Sequence, residues 1–141
     1  MKLTRASSYA LHAVAYMAQQ KHEGPVASHK IAEQRGIPER FLLKVLKPLV
    51  SAEVLHSIKG PNGGYRLAKP ANEITMLRVI EAVDGPIRGQ APPPELRRTS
   101  GKSKDGNGLP LYQKLDGICQ QTAEQTRKQL EKVRLSELLK K

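Results

Sequence analysis

The chain has 141 residues, with 24 Lys and Arg against 13 Asp and Glu and a formal net charge of +11. That length fits one domain, and self-repulsion of this size points to a polyanionic partner, either nucleic acid or an anionic membrane. A single cysteine, Cys119, excludes an intramolecular disulfide and a thiolate-only metal site within one chain, and one Phe, four Tyr and no Trp argue against a single-strand binder built on rows of stacked rings.

Residues 3–20 carry Leu3, Ala6, Ala10, Ala13, Val14 and Met17 at helical spacing, which predicts an amphipathic helix capped by Thr4 or a neighbour. Lys2 and Arg5 before an alanine-rich run faintly resemble a secretory signal. However, Ser7, Ser8, His12 and Tyr16 interrupt the apolar region and no cleavage site follows. No run of about 18 apolar residues is present to span a bilayer. The expectation is a cytoplasmic protein with no membrane partner.

Gly24-Pro25 ends this element, and Ser28 is placed to cap a short helix with Ile31 and Ala32 facing inward. Gly36 sits where a left-handed residue is wanted. Pro38 takes the first position of a second helix, in which Phe41, Leu42, Val45, Leu46 and Leu49 repeat at three and four. Pro48 interrupts that helix, which is expected to stop near Lys47 or bend there. A short helix, a tight Gly turn and a second helix make a helix-turn-helix candidate.

Residues 54–58 alternate apolar and polar, Gly60-Pro61-Asn62-Gly63-Gly64 is a strong turn signal, and Tyr65-Arg66-Leu67 resumes the alternation. A β-hairpin directly after a helix-turn-helix is the order of a winged-helix domain. Ile74, Leu77, Ile80 and Val83 mark another helix, capped by Thr75 and closed by Gly85. The fold class expected is mainly α with a small β-hairpin. A winged helix-turn-helix head covers residues 1–85, a flexible basic loop 86–110, and a dimerisation helix and tail 111–141. The loop is rich in Pro, Gly, Ser and basic residues. The thin stripe of Leu115, Ile118, Ala123, Leu130 and Val133 on the last helix needs the head or a twin to cover it.

Met1-Lys2-Leu3-Thr4, Tyr9-Ala10-Leu11, Ile31-Ala32-Glu33, Phe41-Leu42-Leu43-Lys44-Val45-Leu46 and above all Gly60-Pro61-Asn62-Gly63-Gly64-Tyr65-Arg66-Leu67 resemble the bacterial Rrf-two type winged helix-turn-helix transcription regulators, the IscR, NsrR and CymR type. The resemblance covers roughly the first eighty-five residues well and the last helix more loosely. It implies a homodimer formed through the long helix, and transcriptional control, usually repression. Many members hold an iron–sulfur cluster through three cysteines in the loop before that helix. Here residues 87–110 contain neither Cys nor His, and Cys119 lies inside the following helix. The soft ligands such a cluster needs are missing, so no cofactor and no metal site are expected.

Double-stranded DNA is the expected partner. The first residues of the second helix of a helix-turn-helix meet base edges in the major groove, which nominates Glu39, Arg40 and Lys44. Arg40 matches a guanine edge, Glu39 a cytosine amine, and Lys44 a guanine or a phosphate. Phe41 is core by periodicity and a groove-facing aromatic by the resemblance. Lys59, Asn62 and Arg66 make the wing a minor-groove candidate. Lys2, Thr4, Arg5, Ser28 and His29 lie at helix starts, where backbone N–H groups favour phosphate, and Lys47 is a further phosphate candidate. The four histidines show no metal-ligand spacing, and Tyr9 and Tyr16 read as core or dimer packing.

No nucleophile elbow, metal-ligand cluster or phosphate loop appears, so an enzyme is not expected; the Gly60–Gly64 turn joins strands instead of opening a helix. A basic nucleic-acid-binding protein of low sequence specificity, nucleoid- or RNA-associated, stays open as an alternative. So does an effector: a metabolite, a partner protein, or oxidation of Cys119.

Overall fold

The computed structural model describes residues 1–21, 24–94 and 108–140. Residues 95–107, the middle of the expected basic loop, lie outside that set. By packing, the chain falls into two units: a head of Met1–Pro86 with Gln129–Lys141, and a second unit of Ile87–Lys128.

In the head, helix α1 (Arg5–Ala18) starts where Thr4 turns extended (φ −71°, ψ 161°) and its side chain accepts from the Ser7 amide, satisfying one of the amides a helix start leaves unpaired. Its Ala10, Ala13 and Val14 are fully buried, and α1 packs against the three other main helices of the head. Helix α2 (Ser28–Arg35) follows. Here the expected cap is corrected. Ala27 occupies the cap position without a side-chain bond and Ser28 is the first helical residue. Its hydroxyl donates to Glu39 instead. Gly36 closes α2 in the left-handed region (φ 63°, ψ 33°), where a Cβ would be strained, and the turn continues through buried Ile37.

Helix α3 (Glu39–Ser51) begins one residue after Pro38, which is its cap and not its first residue. It does not stop at Lys47. Pro48 lacks the N–H that would bond the Lys44 carbonyl, but Lys44 is exposed, so water can take that carbonyl. Burial of Leu42, Val45, Leu46 and Leu49 holds the helix past the proline, at roughly 1.5–3 kcal/mol for each fully buried side chain.

The end of α3 carries a backbone device. The Glu53 N–H donates to Val50 and the Val54 N–H to Leu49, the paired bonds of a Schellman motif, and Glu53 therefore sits at φ 62°. That region suits glycine. Glu53→Gly is expected to raise stability by about 0.5–1 kcal/mol, measured as a urea midpoint. A lower midpoint would mean that the Glu53 side chain contributes more than its backbone costs.

Strands β1 (Leu55–Ile58) and β2 (Gly64–Leu67) pair antiparallel, with Leu55 opposite Leu67 and His56 opposite Arg66. Val26 adds a bridge to this hairpin. Its N–H donates to the Tyr65 carbonyl at 2.8 Å, and the Tyr65 N–H donates back at 2.9 Å. A Cβ on Gly64 would lie 2.3 Å from the Val26 carbonyl oxygen, so glycine is what permits the contact. Helix α4 (Met76–Asp84) is capped by Thr75, whose side chain accepts from the Arg78 amide, and ends at Gly85.

The chain's last residues return to this core. Helix α5 (Gly108–Lys132) begins three residues before the expected boundary, and Pro110 fits its first turn because the missing N–H has no helical partner there. From Gln129 onward the chain belongs to the head. The Met76 N–H donates to Val133 and the Leu135 N–H to Ile74, both at 2.8 Å. Helix α6 (Leu135–Leu138) then buries Leu135 to 1 % exposure within the head's core. In the second unit, the Ala91 N–H donates to Asp116 at 2.9 Å and Cys119 is half-buried.

Candidate nucleic-acid interface

Because α3 buries Leu42, Val45, Leu46 and Leu49, its opposite face is fixed by helical geometry. Arg40, Leu43, Lys44 and Lys47, at spacings of three, four and seven, all point to solvent. Phe41 is exposed as well, at 37 %, which corrects its assignment to the core. The Arg40 guanidinium carbon lies 4.7 Å and Lys44 Nζ 5.7 Å from its ring centroid. Both cations therefore rest on an aromatic face, and the ring restricts where they reach.

A crevice of about 210 Å³ is lined by Arg5, Ala6, Tyr9, Phe41, Lys44 and Val45. The start of α1 and the outward face of α3 thus open on one side of the head. Ser28 Oγ donates to Glu39 Oε1 at 3.1 Å, tying together the first residues of α2 and α3. His29, next to Ser28, is exposed. On the hairpin, Arg66 and its cross-strand neighbour His56 are exposed, while Tyr65 packs on the core. The Val26–Tyr65 bridge anchors this wing two residues before α2. Lys59 and Asn62 are exposed at the wing turn, and Lys2 is exposed at the chain start. Thr4 is less available than its type suggests, because its hydroxyl caps α1 and donates to Asp84.

Two residues of this surface escaped the sequence reading. Leu43 is 44 % exposed; a helix buries one stripe, so the run Phe41-Leu42-Leu43 had to leave an apolar residue facing out. His56 reaches the wing's outer face through its register with Arg66, which residue type alone does not reveal.

A sequence profile described as Rrf2, iron-dependent transcriptional regulator, matches residues 3–141. The chain belongs to the Rrf2 family. It is 39 % identical over 84 residues to the HTH-type transcriptional regulator IscR of Photobacterium profundum, covering 60 % of this chain and 49 % of that protein. It is 37 % identical over 86 residues to protein aau3 of Rhizobium meliloti, covering 60 % and 54 %. The chain spans about half the length of these curated relatives. In structure it is similar to CymR, the global cysteine regulator of B. subtilis. The TM-score is 0.70 at 24 % identity, covering 99 % of this chain and 96 % of that one, a likeness of fold. The winged-helix architecture is shared with this neighbour, and the family is one of transcriptional regulators, not enzymes.

The family description names iron, and the donor set here does not fit it. Iron–sulfur centres are held by several thiolates, with imidazole replacing some. This Rrf2 chain has one cysteine in its whole sequence and no His or Cys between residues 87 and 110. Among the described residues, no three His, Cys, Asp or Glu side chains come together. With a second copy of the chain the thiolates number two, one Cys119 from each protomer.

Proposed function

We propose that this Rrf2 chain is a sequence-specific DNA-binding transcription regulator. It acts in the cytoplasm as a homodimer on a palindromic operator, represses, and uses no iron–sulfur cluster. The observation that carries the reading is the outward face of α3. Arg40, Leu43, Lys44 and Lys47 are exposed together on the second helix of a helix-turn-helix, beside Arg5 on a shared crevice. Arg40 suits bidentate contact with guanine, and Leu43 adds an apolar group suited to a thymine methyl. Lys44, Lys47, Arg5, Lys2 and His29 supply phosphate contacts, and Ser28 does so through its backbone N–H at the start of α2, its hydroxyl being engaged by Glu39; these position the protein without reading sequence. Lys59, Asn62 and Arg66 present the wing to the minor groove, where a narrow groove attracts cations.

The test is selection of bound sequences from a random duplex library by the purified chain in air at physiological salt. An enriched palindrome with half-sites one or a few helical turns apart supports the dimeric regulator. Salt-sensitive binding with no enriched site supports the low-specificity alternative, which the charge of +11 keeps in view. On the selected operator, Arg40→Ala is expected to cost about 1–3 kcal/mol and relax preference at one base position. An equal loss on every sequence would reassign Arg40 to phosphate.

A further inference from the structure

We infer that Asp84, the last residue of α4, is a positioning residue for DNA: its carboxylate holds the cap of α1 so that Arg5 and the first amides of α1 meet phosphate. The inference rests on the DNA-binding reading above. Two hydroxyls from the other end of the head converge on this carboxylate. Thr4 Oγ1 donates to it, at 2.9 and 2.8 Å from its two oxygens, and accepts the Ser7 N–H at 3.0 Å. Ser7 Oγ donates to the same group. A hydroxyl has one proton, so Thr4 points that proton at Asp84 and turns a lone pair toward α1. Ser7 is fully buried, the one buried polar side chain among the described residues, and Asp84 is its acceptor.

Helix electrostatics on α4 do not account for an aspartate here. The C-terminal end of a helix carries the negative pole and disfavours a carboxylate, whereas the start of α1 carries the positive pole and favours one. The Asp84 side chain is therefore better matched to α1 than to its own helix. What the cap fixes is the placement of Arg5 and Ala6. Both line the crevice shared with Lys44 of α3, and both have amides with no helical partner because the carbonyls four residues back lie outside α1. A cation beside such amides forms a phosphate cradle, and its value depends on holding still.

The two roles open to a carboxylate near this surface have opposite signs. As a mere charge, Asp84 repels phosphate, and neutralising it strengthens DNA binding. As a positioning group, neutralising it weakens binding, because a neutral Asn oxygen accepts the two hydroxyl protons more weakly than a carboxylate does, and its NH2 faces a Thr4 hydroxyl that is placed to donate.

The experiment measures the salt dependence of binding by the full chain to one selected operator duplex, for wild type, Asp84→Asn, Asp84→Glu and Arg5→Ala. Asp84→Asn is expected to lose about 5- to 10-fold in affinity near physiological salt. Its slope of log K against log salt is expected to shrink by about 0.9, the equivalent of one phosphate. Asp84→Glu, which keeps the charge and both acceptors, is expected to regain most of that slope. Should Asp84→Asn not hold its fold, Thr4→Val removes the same donor from α1 and is expected to show the same loss of slope. An unchanged slope, or a gain in affinity, in a folded Asp84→Asn or Thr4→Val protein overturns the inference. If Arg5→Ala lowers the slope while the Asp84 and Thr4 variants do not, only the positioning role falls. If Arg5→Ala also leaves it unchanged, the placement of α1 on DNA falls and takes this role with it.

Discussion

Leu135→Ala is expected to destabilise the head by about 2–5 kcal/mol, the range for removing a large apolar side chain from a packed core. Leu135 lies outside the helix-turn-helix and wing, six residues from the chain's last residue. Position in sequence gives no warning of such a cost. The structure does: the side chain is 1 % exposed and sits in one cluster with Val14, Leu46, Leu49 and Ile74. The backbone reinforces the packing. The Leu135 N–H donates to Ile74, the Met76 N–H donates to Val133, and Arg134 donates to the Asn72 carbonyl at 2.9 Å. The chain's end is thus stitched to the turn that launches α4. In a domain of this size, about 1 kcal/mol moves the melting temperature by roughly 4 °C or more, so the variant is expected to melt at least about 8 °C lower. Leu138→Ala is the matched control. Leu138 is 48 % exposed on the same short helix, and a change there is expected to cost within about 0.5 kcal/mol. Equal costs at both sites would show that α6 rests on the head without sharing its core.

That result bears on what was legible in the sequence. Periodicity located α1, α3 and α4 because each presents one apolar stripe, and the caps Thr4, Thr75 and Gly36 marked ends through local chemistry that needs no partner. The hairpin was legible because its turn is written in glycines, but alternation did not mark its inward residues: Val54 and Leu55 are both buried and His56 and Ser57 both exposed. Pro48 misled because the cost of a proline is local, whereas the gain that overrides it, burial of Leu49 against the rest of the head, is tertiary. Ser28 misled in the same way, since its preference for a cap gave way to a bond with Glu39 eleven residues on. The return of residues 129–141 to the head was hidden for a further reason. Leu130, Val133 and Leu135 continue the stripe of the long helix, and spacing alone does not say which partner covers each part of a stripe. Among the candidate contacts, the cations of α3 were nominated by motif order. The Asp84 contact was not, because nothing local links residues eighty apart in the chain.

The part of the α5 stripe outside the head leads to the other large effect. Leu111, Leu115 and Ile118, at spacings of four and three, are 60 %, 47 % and 60 % exposed. Three large apolar residues aligned on one helix face suit coverage by the same face of a second copy, since a two-fold interface uses one patch twice. Ile118→Glu places a charge where that copy would bury it. Because Ile118 is exposed, the substitution is expected to leave the head folded while sedimentation shows a monomer in place of a dimer. The consequence for DNA follows from linked binding. A dimer engages its second half-site intramolecularly, which strengthens binding by about 10²–10⁴ over a single engagement. Ile118→Glu is therefore expected to lose about 10²-fold or more on a two-half-site operator and to bind an isolated half-site as wild type does. These two duplexes separate the causes. A loss on both would place Ile118 in the fold or at the DNA, and a dimer surviving the substitution would remove α5 as the interface. A monomer that still binds the full operator tightly would mean that the head reads its site without a twin.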